Sequence, residues 1–466
     1  MYIRLARVYN IIARARMRSQ EKYSLYSKRM DLPSSSFYAI IIVVMIMKKT
    51  AILLSIFLSL CTLFPSCAKD GQSTLPKDAV DATKYGVSSA HSGTENSQNL
   101  QALIDRLSSE SGGTIYLPSG EYVFAENGTQ TIGSHCIKMR SNVSLVGDGA
   151  NTVLLPVGNS HYGLDMFYFN DYLDTGDAIY LENCRFENFT IDAAATSCEV
   201  YTSAGKGFMF NLFRDCHWKN VTVKNTDATG FGVDCPFEST ISHCTAIHCG
   251  KAATEENGGA SGFGIGFGYA NGENLTITDC QALDNKKFGF FFEHQGRFNS
   301  DKYTAVNLHD FSVKNCNASG NLYNFGGIFT LNTVYENCHS TAARQHGFYF
   351  ENSSDSKVQA CTSANETDAS FVILQSGAIA VNNIRYEACT SQNSAYGVKV
   401  IGSGTRPMSE LSVQSCTFRG IKAHTVHTLG VIQSLSLTDN VADLSSNDFS
   451  ANVERFENEN NSWNNG

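Results

Sequence analysis

The sequence predicts an all-β solenoid: a parallel β-helix of about eleven coils with an N-terminal capping helix. Three observations carry this expectation. Nine cysteines occupy one slot of a recurring phrase: Glu-Asn-Cys184, Arg-Asp-Cys216, Ser-His-Cys244, Thr-Asp-Cys280, Lys-Asn-Cys316, Glu-Asn-Cys338, Gln-Ala-Cys361, Glu-Ala-Cys389 and Gln-Ser-Cys416. The copies stand 22 to 36 residues apart, and a tenth, Thr-Asp-Asn440, puts Asn in the slot. Self-similarity at such a period marks stacked repeats. Short alternating stretches, such as Asn-Leu-Thr-Ile-Thr before Asp279-Cys280, precede most copies and read as strands. Charged residues are 17% of a chain rich in Gly, Asn, Ser and Thr, the surface of a turn-rich β protein rather than of a coiled coil or a disordered chain.

Each period offers a few short β segments that cannot bury their apolar side alone. Stacked coils bury one continuous core and pair every strand with the next coil. The cysteine slot then points inward. Parallel side chains one coil apart keep their Cβ atoms about 4.8 Å from each other, longer than the roughly 3.8 Å a disulfide favours. No Cys-x-x-Cys pair exists, so stacked thiols are expected rather than disulfides or a zinc site. Cys136, Cys198, Cys235 and Cys249 fall outside the ladder.

The first 67 residues are expected to lie outside the fold. Met47-Lys48-Lys49-Thr50 and the apolar run Ala51 to Phe64 form the n- and h-regions of a signal peptide ending at Pro65-Ser66-Cys67. This resembles a bacterial lipoprotein signal, with Cys67 carrying the lipids, and the acidic Asp70 just after it resembles surface-export signals of Bacteroides-type lipoproteins. The resemblance implies an outer-membrane lipoprotein at the cell surface or facing the periplasm. A plain signal peptide or an N-terminal anchor are the alternatives. Residues 1–46 read as an extension upstream of the true start. A transmembrane segment from about Phe37 to Phe64 would carry Lys48 and Lys49 at bilayer depth, which is costly.

Residues 68–79 read as a linker. Leu100, Leu103, Ile104 and Leu107 recur at helical spacing and predict an amphipathic helix over Asn96 to Ser109, capped by Thr94 or Asn96. Gly113-Thr114-Ile115-Tyr116-Leu117-Pro118-Ser119-Gly120-Glu121-Tyr122 follows as strand, turn, strand. The cap is expected at 80–125 and the β-helix at 126–451. The Asn/Glu-rich 452–466 reads as a polar tail that blunts the last coil, whose open edge would otherwise invite pairing.

The run Asp81-x-x-x-Tyr85-Gly86-Val87, the helix and Gly112-Gly113-Thr114-Ile115-Tyr116-Leu117-Pro118-Ser119-Gly120-Glu121-Tyr122 together resemble the N-terminal cap of the pectate-lyase-like superfamily. Asn142-Val143-Ser144-Leu145-Val146-Gly147-Asp148-Gly149 carries the resemblance into the first coil. It implies a right-handed, single-stranded parallel β-helix. Pectate lyases, polygalacturonases, mannuronan C5-epimerases and phage tailspikes share that fold.

A second phrase, led by glycine, precedes the cysteine phrase: Gly232-Val233-Asp234, Gly289-Phe290-Phe291-Phe292-Glu293, Gly327-Ile328-Phe329, Gly347-Phe348-Tyr349-Phe350-Glu351 and Gly397-Val398-Lys399-Val400. Alternation sends the second residue inward and the third outward, so Asp234, Phe291, Phe329, Tyr349 and Lys399 are expected on one outer strip, followed by Glu293 and Glu351. Phe231-Gly232-Val233-Asp234-Cys235-Pro236 resembles the Tyr-Gly-x-Asp-Pro-His run of bacterial mannuronan C5-epimerases. Asp234 alone carries over as a functional residue; Phe231 and Pro236 replace that family's Tyr and His.

Lyases and epimerases neutralise a uronate carboxylate, remove the C5 proton and complete the step with an acid. Arg297 or Arg344 would bind the carboxylate, His294 or His346 would be the base, and Tyr349 the acid, with Asp234 and Glu293 beside them. Glu351 and Lys399 would line the bound chain. Hydrolysis is the second reading, with a carboxylate pair drawn from Asp234, Glu293 and Glu351. A groove that binds glycan without catalysis is the third. Net charge is −9 and no Lys/Arg cluster lies in the folded part, which argues against a nucleic-acid partner. An acidic polysaccharide would need a locally basic cleft. No cofactor motif stands out; calcium is left open at Asp171, Asp174 and Asp177. His217, His243, His248, His309 and His339 adjoin the ladder and are expected on an outer face.

Overall fold

The computed structural model describes residues 78–463, apart from 131, 171–178, 268–271, 295–307, 310, 377–379, 403–405, 444–446 and 450–451. Cys67, the signal segment, Arg297 and the aspartates at 171, 174 and 177 lie outside the described residues.

The chain is a parallel β-helix. Nearly every strand pairs in parallel with the strand one coil before and one coil after it; the exception is the antiparallel hairpin of Gly128–Gln130 with Gly133–Lys138. Among the described residues one α-helix, α1 (Gly93–Glu110), packs on the first coils. Its N-cap is Ser92, not Thr94 or Asn96. Ser92 Oγ accepts from the Glu95 N–H, and the Glu95 carboxylate accepts from the Ser92 N–H, a reciprocal capping box. Asn96 is buried instead and bonds Ser88 and the Val123 carbonyl. Leu100, Leu103, Ile104 and Leu107 face the core, as the spacing predicts.

Three stacks of strands enclose that core. One carries the glycine-led phrases and is called here the groove sheet; it runs through Phe263–Phe267, Phe288–His294, Tyr323–Ile328, His346–Glu351, Ala369–Gln375 and Tyr396–Gly402. Its inward rings stack coil on coil. Phe231, Phe263, Phe290, Phe325 and Phe348 follow one another with centroids 4.7, 4.7, 5.1 and 4.8 Å apart and ring planes within 9° of parallel. This separation is the strand spacing, so the ladder follows from register alone.

The cysteine phrase is a bend. The residue before the slot takes a left-handed backbone at Asn183, Asp215, His243, Asp279, Asn315, Asn337, Ala360, Ala388, Ser415 and Asp439, with φ between 49° and 56°. That region costs an ordinary residue about 1 kcal/mol and Asn or Asp less, which explains the Asn/Asp that so often precedes cysteine. The buried thiol then accepts from the rung before it: the Cys280 N–H reaches Cys316 Sγ at 3.4 Å, and the Cys338 N–H reaches Cys361 Sγ at 3.2 Å. Every described cysteine is a free thiol.

The C-terminal expectation needs correction. Asn452–Glu459 is not a tail but a further rung, paired in parallel with Val431–Thr438, and Ser462–Trp463 pairs with Val441–Ala442. Asn461 fills the cysteine slot, taking the Asn440 N–H at 2.8 Å. Composition misled because this last rung leaves most of its side chains exposed.

Candidate active site

Register decides which outward side chains share the groove. Gly232 pairs with Gly264, Gly264 with Phe291, Phe291 with Gly326, and Gly326 with Tyr349; Val372 and Lys399 continue this column. Two residues further along each strand runs a second column: Asp234, Gly266, Glu293, Ile328, Glu351 and Leu374. The expected single strip is thus two strips. Asp234 lies with Glu293 and Glu351, not with Phe291 and Tyr349, because Gly232 sits two residues past the position of Gly262 and Gly289. Phe329 belongs to neither column; it makes the bend beyond the second.

Glu293 and Glu351 line one open cavity of about 260 Å³, together with Phe291, Ile328 and Phe329 on the sheet side. Glu256, Gly258, Gly259, Ser261 and Lys287 complete it. The loop over residues 251–260 forms that wall and is pinned from two sides. The Tyr201 hydroxyl donates to the Gly258 and Gly259 carbonyls, 2.7 Å from each. Arg344 pairs with Glu255, and Lys287 Nζ donates to the Asn257 carbonyl at 3.2 Å.

Tyr349 donates its hydroxyl hydrogen to Glu351 Oε2 at 2.7 Å, and Ser376 Oγ donates to the other carboxylate oxygen. Burial, reinforced by the Glu351 charge, pushes the Tyr349 hydroxyl far above its usual range, so it remains a proton donor. Tyr349 in turn rests on rings: Tyr323 stacks on it at 4.7 Å and His346 at 5.5 Å, with an 8° angle between the His346 and Tyr349 planes. Burial pulls the His346 imidazole down to about 4, against the opposing pull of Asp368. His346 Nδ1 stands 3.6 Å from that carboxylate.

Several expected roles are not those the structure assigns. Arg344 is not aimed at a substrate carboxylate: its guanidinium is taken up by Glu255 and by the carbonyls of Gly320, Asn285 and Lys286. Lys399 lies two rungs past Tyr349, held by both Asp368 oxygens at 2.7 and 2.8 Å and 3.9 Å from the Tyr396 ring centroid. Its charge is already neutralised. His346 is largely covered, stacked against Tyr349 as a neutral ring, and supports it rather than facing the cavity. Asp234 shares the carboxylate column but stands outside the cavity, accepting the Gly266 N–H at 2.6 Å. The backbone of His294 closes the strand of Glu293; its side chain lies outside what the structure describes.

Sequence reasoning missed Lys206. It is nearly buried, and its stem covers Gly232 so closely that a Cβ there would stand 2.5 Å from Lys206 Cδ. Its ammonium lies 3.1 Å from Met209 Sδ. The buried Asp165 carboxylate anchors the turn by accepting the Gly205 and Lys206 N–H groups at 2.8 and 2.6 Å. Burial raises the Asp165 pKa, opposed chiefly by the Lys206 charge. The one clue in the chain is a lysine set between glycines, Gly205-Lys206-Gly207, before an inward phenylalanine.

The fold defines the class, a parallel β-helix, the architecture that the resemblance of the capping motif implied. A family model described as "Rhamnogalacturonase A/epimerase, pectate lyase-like" matches residues 79–291. The mannuronan C5-epimerases AlgE1 and AlgE5 of Azotobacter vinelandii are 26% and 25% identical over 219 and 248 residues, covering 44% and 49% of this chain. Those matches cover only 12% and 20% of the relatives' own length. Among solved structures, an exopolygalacturonase from Thermotoga maritima superposes with a TM-score of 0.55 at 10% identity, over 79% of this chain and 92% of that one. The A-module of Azotobacter vinelandii mannuronan C-5 epimerase AlgE4 gives 0.51 at 16% identity, over 80% and 99%.

Proposed function

We propose that this protein is a carbohydrate-active enzyme that hydrolyses glycosidic bonds in a polysaccharide lying along the groove sheet. The observation that supports this most is the placement of Glu293 and Glu351 in one outward column, two rungs apart, over one cavity. Rungs repeat at about 4.8 Å, so the two Cα atoms stand roughly 10 Å apart. That spacing is close to the roughly 6.5–9.5 Å between the carboxyl groups of an inverting pair. Glu351, oriented by Tyr349 and Ser376, takes a proton from the attacking water. Glu293 protonates the leaving oxygen as the C–O bond breaks. The solved structures of similar fold include an exopolygalacturonase and an alpha-1,3-glucanase, which fits this chemistry. The test is incubation with a polysaccharide panel. New reducing ends without the absorbance of an unsaturated sugar, abolished in Glu293→Gln and Glu351→Gln, support the reading. Intact polymers in every case sink it.

One observation favours a second reading, uronate lysis or C5-epimerisation at Lys206 and Asp234. Lys206 is a near-buried cation above Gly232, on the stretch that resembles the mannuronan epimerases. Its ammonium would neutralise a uronate carboxylate while a base removes the C5 proton. Unsaturated product or C5 proton exchange, lost in Lys206→Met, would favour this reading. Binding without any reaction would make the protein a glycan-binding β-helix.

The localisation proposal rests on residues 47–67: lipidation at Cys67 and attachment to the outer membrane. Cys67→Ala should move the protein from the membrane to the soluble fraction; unchanged fractionation counts against it.

A further inference from the structure

We propose that Phe329 is the platform on which an uncharged sugar ring of the substrate stacks, which makes a neutral polysaccharide the class this groove takes. The proposal rests on the assignment of the Glu293–Glu351 cavity as the hydrolytic site.

The backbone supplies the first argument. One residue past the carboxylate column, the chain bends out of the groove sheet. At this place Leu212, Cys235, Phe329 and Asn352 take φ values of 61°, 53°, 57° and 49°. Left-handed backbone suits Asn and disfavours a bulky side chain. Leu212 and Cys235 are fully buried, and Asn352 is buried with two hydrogen bonds to Ser376. Phe329 differs from these three: it is half-buried and lines the cavity. A large aromatic residue in a backbone region it disfavours, at the rim of a candidate site, points from strain to function.

Charge supplies the second argument. Among the described residues, the cavity is lined by Glu256, Glu293 and Glu351 against a single ammonium, Lys287, which is engaged by the Asn257 carbonyl. Arg344 is engaged by Glu255. A uronate ring would bring a fourth carboxylate into this space, and none of the described cations is released to meet it. An uncharged pyranose brings none. It presents a C–H face to Phe329, and its hydroxyls donate to the carboxylates, the mix of apolar wall and few polar anchors that small-ligand sites use.

Purified full-length protein tests this by binding of neutral gluco-, galacto- and manno-oligosaccharides beside uronate oligosaccharides, in the wild type, Phe329→Asn and Phe329→Trp. Phe329→Asn should weaken neutral-sugar binding at least tenfold while melting at the wild-type temperature or about 1–3 °C above it. Phe329→Trp should keep binding. Unchanged affinity in Phe329→Asn, a melting temperature lowered by several degrees, or tighter wild-type binding of uronate than of neutral chains would each overturn the proposal. Glu293→Gln separates the two claims. Full hydrolysis in Glu293→Gln with lost binding in Phe329→Asn would fail the catalytic assignment and keep the platform. A dead Glu293→Gln beside a normally binding Phe329→Asn would fail the platform alone.

Discussion

Tyr349 and Glu351 stand two residues apart on one strand, both on its outer face, and the Tyr349 hydroxyl donates to the Glu351 carboxylate at 2.7 Å. The bond holds one carboxylate of the candidate pair in the cavity that it lines together with Glu293.

Glu293→Gln and Glu351→Gln should each lower hydrolysis by about 10²–10⁴-fold, the usual contribution of a positioned acid or base. Tyr349→Phe should cost less, about tenfold, because Ser376 still orients Glu351. Initial rates on the responsive polysaccharide, with circular dichroism to establish folding, check this. Wild-type rates in Glu293→Gln and Glu351→Gln would remove the pair from the mechanism.

Stability should fall with acid through His346. Burial holds the folded ring at about 4, against an ordinary value of 6.5. The unfolded chain therefore binds a proton that the folded one refuses between these two values. The contribution is full above pH 6.5 and is lost as pH drops toward 4, at most about 3 kcal/mol. Asp368 and Lys399 face the ring and oppose each other. Urea unfolding at pH 4.5 and pH 7.5 should show a smaller difference in His346→Gln than in the wild type.

The thiol ladder should be inert. Burial pushes Cys280 and Cys389 well above the ordinary thiol range, and although hydrogen bonds from neighbouring thiols pull Cys316 and Cys416 the other way, both are fully buried and out of a reagent's reach. Among the described cysteines, Cys198 is only partly buried and should react first with an aromatic disulfide reagent, the others only after unfolding. Cys361→Ala should destabilise by about 1–2 kcal/mol, since it leaves a gap and an unmet Cys338 N–H. Rapid native labelling of several ladder thiols would contradict this.

Arg344→Ala should loosen the wall loop rather than disable chemistry. The Arg344–Glu255 pair is about half exposed, so its loss costs little stability. KM should rise several-fold with kcat within twofold. A collapse in kcat at unchanged KM would return Arg344 to the reacting centre.

Much of the scaffold was legible. Leu100, Leu103, Ile104 and Leu107 announced the helix, and the cysteine phrase announced the coils. The phrase also held a conformational message, readable only with φ values: Asn or Asp before cysteine marks a left-handed bend. Composition misplaced the C-terminal rung, because an exposed strand need not alternate in polarity. At the site, Asp234, Glu293 and Glu351 were named from the chain, but Asp234 was set beside Tyr349 by counting from Gly232. Arg344 and Lys399 looked like substrate cations because Glu255 and Asp368 are distant in sequence and close only in space.

The sequence by itself determined a stacked β-helix with an inward thiol and phenylalanine core, since periodicity and alternation are local properties that repeat along the chain. Only the tertiary structure decided that Glu293 and Glu351 share a column and a cavity, that Lys206 covers Gly232, and that Phe329 turns left-handed at the rim. The physical reason is register. Neighbouring rungs lie about 4.8 Å apart in space but 22 to 36 residues apart in the chain, joined by loops of unequal length. A two-residue error in alignment moves a carboxylate from one column to the next without disturbing the core.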